Sequence, residues 1–115
     1  MQPRIIILKA QYLLGEIYYS GINTNHDINK IIYYFNESAK NMNDNAQMIL
    51  GCFYYHGEFY KQDVNKAINY FTHSAKQNNF YAQYFLGEIY YDGIFVQRNI
   101  NKSIDFLCKS SNMNY

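Results

Sequence analysis

Tryptophan is absent from this chain and proline occurs once, which excludes collagen-like and proline-rich linker character. Glycine is scarce as well. The six glycines stand alone along the chain, so no glycine-rich loop is available to cradle a phosphate. An excess of charge of either sign is also missing: ten basic and nine acidic residues leave a formal charge of +1, and the basic ones are scattered. Affinity for nucleic acid or an anionic membrane surface needs clustered Lys and Arg, so neither is expected as a partner. The early apolar run Ile5-Ile6-Ile7-Leu8 is far too short to span a membrane, and it lacks the length and cleavage site of a secretory signal. A cytoplasmic location without membrane insertion is the expectation.

What is present argues for a folded chain. Apolar residues make up 49% and charged residues 17% of 115 positions, enough for one core and one domain over residues 1–115. Fourteen Tyr and eight Phe exceed what a helical interior of this size requires, which predicts rings on the surface.

The organising feature is a repeat with a period of 36 residues and no insertion or deletion. Ala10-Gln11-Tyr12-Leu13-Leu14-Gly15-Glu16-Ile17-Tyr18-Tyr19-Ser20-Gly21 returns as Ala46 to Gly57, and again as Ala82 to Gly93. Asp27-Ile28-Asn29-Lys30 returns as Asp63-Val64-Asn65-Lys66 and Asn99-Ile100-Asn101-Lys102. The copies span 10–45, 46–81 and 82–115.

Within each copy the first segment places Ala10, Leu13, Leu14, Ile17 and Tyr18 on one stripe, the spacing of an amphipathic helix, helix A. It stops at Gly21, Gly57 and Gly93, suited to a left-handed helix end. Asp27, Asp63 and Asn99 then supply N-cap acceptors for helix B, whose buried face carries Ile31, Ile32, Phe35 and Ala39 in the first copy and Ala67, Ile68, Phe71 and Ala75 in the second. Gly15, Gly51 and Gly87 interrupt helix A at a cost of about 1 kcal/mol each relative to Ala, which asks for close approach of helix B. One such hairpin cannot bury its apolar face alone, so the copies must stack, and three is about the usual minimum. The expected fold class is all-α, a solenoid of three helix-turn-helix repeats whose two ends show apolar surface. Ile5 to Leu8 either dock another surface there or lengthen the first helix and cap the stack.

The pattern A-x-x-x-L-G-x-x-Y-x-x-G, a short loop, D-x-x-K-A, an aromatic pair and a small Ala/Ser pair resembles the Sel-1-like repeat from Ala10 to Ser111. The resemblance implies a right-handed α-α superhelix related to tetratricopeptide folds, serving as an adaptor or scaffold in protein complexes. The family's second loop glycine is replaced by Ile22-Asn23, Glu58-Phe59 and Ile94-Phe95, and the third copy drifts at Asn99, Ser103, Leu107 and Ser111. Secreted relatives carry a disulfide in every repeat and have been linked to penicillin binding. Cys52 and Cys108 occupy non-equivalent positions here, so reduced thiols are expected, and a hydrolase-like activity of that kind is only a remote alternative.

On the helical wheel, the face of helix A opposite its stripe would line the concave side of the stack. It gathers Tyr12, Glu16 and Tyr19, then Met48, Cys52, Tyr55 and His56, then Tyr84, Glu88, Tyr91 and Asp92. Tyrosine combines a rigid apolar ring with a water-tolerant hydroxyl and Met adapts to irregular partners, so this face predicts binding of a protein or peptide segment, with the carboxylates favouring one that carries Lys or Arg. Tyr18, Tyr54 and Tyr90 read instead as braces between adjacent repeats. Self-association through bare ends, or a purely structural role as part of a longer array, is the alternative. No metal-ligand spacing occurs, His26, His56 and His73 read as ordinary histidines, and Cys52 with His56 at i, i+4 is the one pair with a nucleophile's geometry. No enzyme activity and no cofactor are expected.

Overall fold

The computed structural model describes residues 3–21 and 27–112. Among them the chain forms six helices: α1 (Pro3–Ser20), α2 (Ile28–Lys40), α3 (Asp44–His56), α4 (Val64–Lys76), α5 (Phe80–Asp92) and α6 (Ile100–Ser111). Odd-numbered helices are helix A of each copy and even-numbered ones helix B. Each helix packs on the next along the chain, so the three hairpins stack into an all-α solenoid.

The termini form for the reasons the sequence provides. The side chains of Asp27, Asp63 and Asn99 accept from the backbone N–H of Lys30, Lys66 and Lys102, and Asn43 and Asn79 do the same for α3 and α5. Gly57 closes α3 at φ 73°, where a Cβ would be strained, and Gly21 and Gly93 take the same left-handed conformation. The place of the missing loop glycine is taken in the second copy by Phe59, itself at φ 64°, whose ring packs edge-on against Phe53 at 5.0 Å. That burial holds a bulky residue in a region it ordinarily avoids.

The fully buried apolar residues cluster across the junctions between copies. One cluster joins Ile31, Phe35 and Ala39 of α2 to Ala46, Leu50 and Phe53 of α3; the second joins Ala67, Phe71 and Ala75 of α4 to Ala82, Leu86 and Ile89 of α5. Within a hairpin, helix B crosses helix A at the glycine: a Cβ on Gly51 would come within 2.6 Å of the Phe71 ring.

This arrangement corrects one expectation. The stripe of helix A is buried in the second and third copies but not in the first, where Ala10 is exposed and Leu13 and Ile17 are 54% and 48% exposed, against 2% for Phe53, the counterpart of Ile17. The stripe packs on the preceding helix B, and no described helix precedes α1. Ile5 to Leu8 do lengthen the first helix, which starts at Pro3, and Ile6 and Ile7 are more than half exposed.

A second correction concerns Tyr18, Tyr54 and Tyr90. They brace their own hairpin: Tyr18 stacks on Tyr34, Tyr54 on Tyr60 and Tyr70, and Tyr90 on Phe106. The lysine of each D-x-x-K segment then lies over the helix-A ring, Lys30 at 5.0 Å, Lys66 at 5.2 Å and Lys102 at 4.8 Å from the centroid.

Candidate functional site

With helices B carrying the stacked tyrosines and lysines on one side of the solenoid, helices A are left to form the other. A cleft of about 490 Å³ opens on that side between α1 and α3. Glu16, Tyr19, Cys52 and His56, all expected at the site, line it together with Ser20, Ile49, Phe35 and Phe53. Glu58, from the loop after α3, completes the wall. Neither the glutamate nor the buried rings of the floor were anticipated.

Tyr19 is the central piece. Its hydroxyl donates to Glu58, 2.9 Å from Oε1 and 3.2 Å from Oε2, across the junction between copies. Its ring lies against Phe35, Phe53 and Phe59, at centroid distances of 6.4, 5.6 and 6.1 Å. Tyr55 repeats the arrangement one copy on, against Phe71 at 6.4 Å and Phe95 at 5.8 Å. The bracing between copies therefore falls to these tyrosines, and Tyr19, 38% exposed, also lines the cleft. A signal for it exists in the sequence, since Phe59 and Phe95 sit one period apart.

Tyr91 holds the same register in the third copy, where no described repeat packs beside it. It is 54% exposed, and the Arg98 guanidinium lies 5.0 Å from its ring centroid. Tyr12 is half-buried against Phe35, its hydroxyl donating to Glu16 at 2.7 Å, and burial followed by that carboxylate pushes its pKa well above the usual tyrosine value. Tyr84, 45% exposed, has its pKa raised first by its hydrogen bond to Glu88. Burial, then the Glu58 hydrogen bond, raises Tyr19. These phenols stay protonated at neutral pH and keep donating to the carboxylates beside them.

Met48 and Cys52 do not project freely. Both are half-buried against the second core cluster, 3.9 Å apart at their sulfurs, and form apolar floor. Burial, with the Glu58 charge adding to it, pushes the Cys52 thiol up to about 11. A thiol protonated at neutral pH is a poor nucleophile, so pairing with His56 does not activate it. Cys52 and Cys108 are both free thiols. His56 and Asp92 end α3 and α5 in exposed positions, Glu88 is exposed beside Tyr84, His73 is exposed on α4, and His26 lies outside the described residues. Among the described residues no cluster of His, Cys, Asp and Glu could hold a metal ion, and no helix is long and apolar enough to cross a membrane.

The chain matches the family model of the Sel1 repeat three times, over residues 8–41, 44–79 and 80–115. Similar solved structures include a protective antigen of uropathogenic Escherichia coli displaying an SLR fold, at 25% identity and a TM-score of 0.85 over 91% of this chain and 22% of that one. A Sel1 repeat protein from Oxalobacter formigenes matches at 23% identity and a TM-score of 0.87, over 97% of this chain and 46% of that one. The chain thus spans less than half the length of either. No curated protein matches it in sequence. Three consecutive matches covering nearly every residue, on a stack of hairpins whose caps, glycine contacts and lysine–tyrosine pairs recur copy by copy, establish that the chain belongs to the Sel1 repeat family.

Proposed function

We propose that the chain is a protein-binding scaffold that holds a partner segment along the side formed by helices A, the concave side in the sequence reading. The supporting observation is the cleft between α1 and α3, where Tyr19 and Ile49, backed by the buried Phe35 and Phe53, offer an apolar floor and Glu16 and Glu58 a polar rim, in a family that generally serves protein–protein interaction. An apolar base with a few placed polar groups is the usual composition of a recognition site. Replacing the groove tyrosines by Ala is a poor test, because Tyr19 and Tyr55 also join copies. A photo-crosslinking residue at exposed His56, compared with one at exposed Lys76 on the helix-B side, is cleaner. Crosslinks to one host protein from His56 and not from Lys76 are expected; crosslinks from Lys76 alone would remove the assignment.

A second, compatible reading has a specific observation behind it. The α1 stripe of Ala10, Leu13 and Ile17 matches, position for position, the stripe of Ala46, Ile49 and Phe53 that packs on α2. It fits a helix-B face such as Ile31, Phe35 and Ala39 form, and α6 carries Ser103, Leu107 and Ser111 at that register, so two copies of the chain stacked end to end would bury both faces. Sedimentation should show concentration-dependent association that Leu13→Glu with Ile17→Glu abolishes; a monomer at all concentrations removes this reading.

A further inference from the structure

We infer that the segment held on the helix-A side is basic, and that the α1/α3 cleft seats an arginine side chain between Glu16 and Glu58, against the ring of Tyr19. The inference rests on the groove reading and adds the chemistry of the occupant.

Three observations carry it. The first is charge. Two ion pairs are found among the described residues, Lys40 with Glu37 and Lys109 with Asp105, and both lie within helices B. The lysines at the start of those helices, Lys30, Lys66 and Lys102, lie over the Tyr18, Tyr54 and Tyr90 rings of helices A rather than in ion pairs with carboxylates. The helix-A side thus holds Glu16, Glu58, Glu88 and Asp92 without an ion pair to any described cation, while its ionisable neighbours in the cleft are Tyr19, Cys52 and His56. Glu58 contributes two carboxylate oxygens already fixed in place by the Tyr19 hydroxyl. A preoriented carboxylate loses little freedom when a second donor arrives.

The second is the shape and lining of the cleft. Its accessible wall is Ile49, Cys52 and the Tyr19 ring, laid over the buried Phe35 and Phe53, so the methylene stem of a long side chain is covered while the charged head meets the carboxylates at the rim. A planar guanidinium matches a carboxylate edge with two parallel hydrogen bonds and stacks on an aromatic face, which an ammonium does less well.

The third comes from the third copy. Tyr91 occupies the register of Tyr19, and it carries the guanidinium of Arg98 over its ring. The fold has supplied an arginine to this position once from its own loop. In the second copy the residue at the Arg98 register is Gln62, whose side chain donates instead to the Tyr55 carbonyl oxygen, so Tyr55 receives no cation from it.

The test is a selection of random dodecapeptides on the immobilised chain, followed by fluorescence anisotropy of the selected peptides against the unaltered chain, Glu16→Gln with Glu58→Gln, and His56→Trp. The Gln variants keep acceptor oxygens and shape, and circular dichroism confirms their fold. Enrichment of Arg is expected, with binding about tenfold weaker to the double Gln variant, several-fold weaker on raising salt from 0.05 to 0.2 M, and weakened by the bulk of Trp at position 56. Peptides blocked by His56→Trp but without Arg enrichment, and indifferent to Glu→Gln, would overturn the arginine site and leave the groove. Peptides indifferent to His56→Trp as well would overturn both.

Discussion

The first and second copies use nearly the same residues in the same register, yet they differ in what those residues do. In the second, Ala46, Leu50 and Phe53 are interior; in the first, Ala10 and Ile17 face solvent, although helix α1 is no less apolar than α3. Features within a hairpin do not share this asymmetry. The N-cap, the stacked ring on helix B and the lysine over the helix-A tyrosine are present in both. Folding energy in this molecule therefore divides into terms that belong to a single hairpin and terms that need a neighbour, as expected for a quasi-one-dimensional stack.

That division can be broken by paired substitutions. The largest contrast is between Phe53→Ala, which empties a fully packed junction and should cost about 3–5 kcal/mol, and Ile17→Ala, which should cost less than about 1 kcal/mol because Ile17 is half exposed. Urea denaturation followed by circular dichroism measures both, and equal losses would mean that α1 is covered in solution. Next in size is Gly51→Ala. Its Cβ meets the Phe71 ring at 2.6 Å, so overpacking of about 1–3 kcal/mol outweighs the gain in helix propensity. At Gly15→Ala, with Phe35 at 3.0 Å, the two effects come closer to cancelling, and its denaturation midpoint should lie above that of Gly51→Ala.

The cap and cation–ring terms inside a hairpin should behave the other way, with no dependence on position in the stack. Asp27→Ala and Asp63→Ala each remove an N-cap and should each cost about 1 kcal/mol. A clear difference between them, read from the same denaturation curves, would show that the cap is coupled to the neighbouring copy. Smallest is the loss of the cation over the ring: Lys66→Met and Lys102→Met should each cost about 0.5 kcal/mol, as thermal melts can register.

The period, the caps of helices B and the contact glycines were legible in the sequence, because each depends on residues close in the chain or on spacing repeated three times; the Asn43 and Asn79 caps of α3 and α5 were not anticipated. Burial of the first stripe was not. Periodicity reports which face of a helix is apolar but not whether a partner helix lies beside it, so Ile17 and Phe53 look alike in sequence and differ in the structure. The candidate site was legible in part. Glu16, Tyr19, Cys52 and His56 fall on one helical face and do come together, whereas Glu58 arrives from a loop whose path depends on Phe59 taking a left-handed conformation. Position on a wheel also could not tell that Tyr19 and Tyr55 lean onto neighbouring rings, or that Met48 and Cys52 settle into the floor.

The most direct test of the account is to map a selected arginine-bearing dodecapeptide onto the chain by following backbone amide shifts in nitrogen-15 spectra during titration. Perturbations centred on Glu16, Tyr19, Cys52, His56 and Glu58, with Lys30, Lys66 and Tyr70 unmoved, are the predicted result. Shifts centred on Lys66, Tyr70 and His73 instead would place the binding surface on the helix-B side and contradict it.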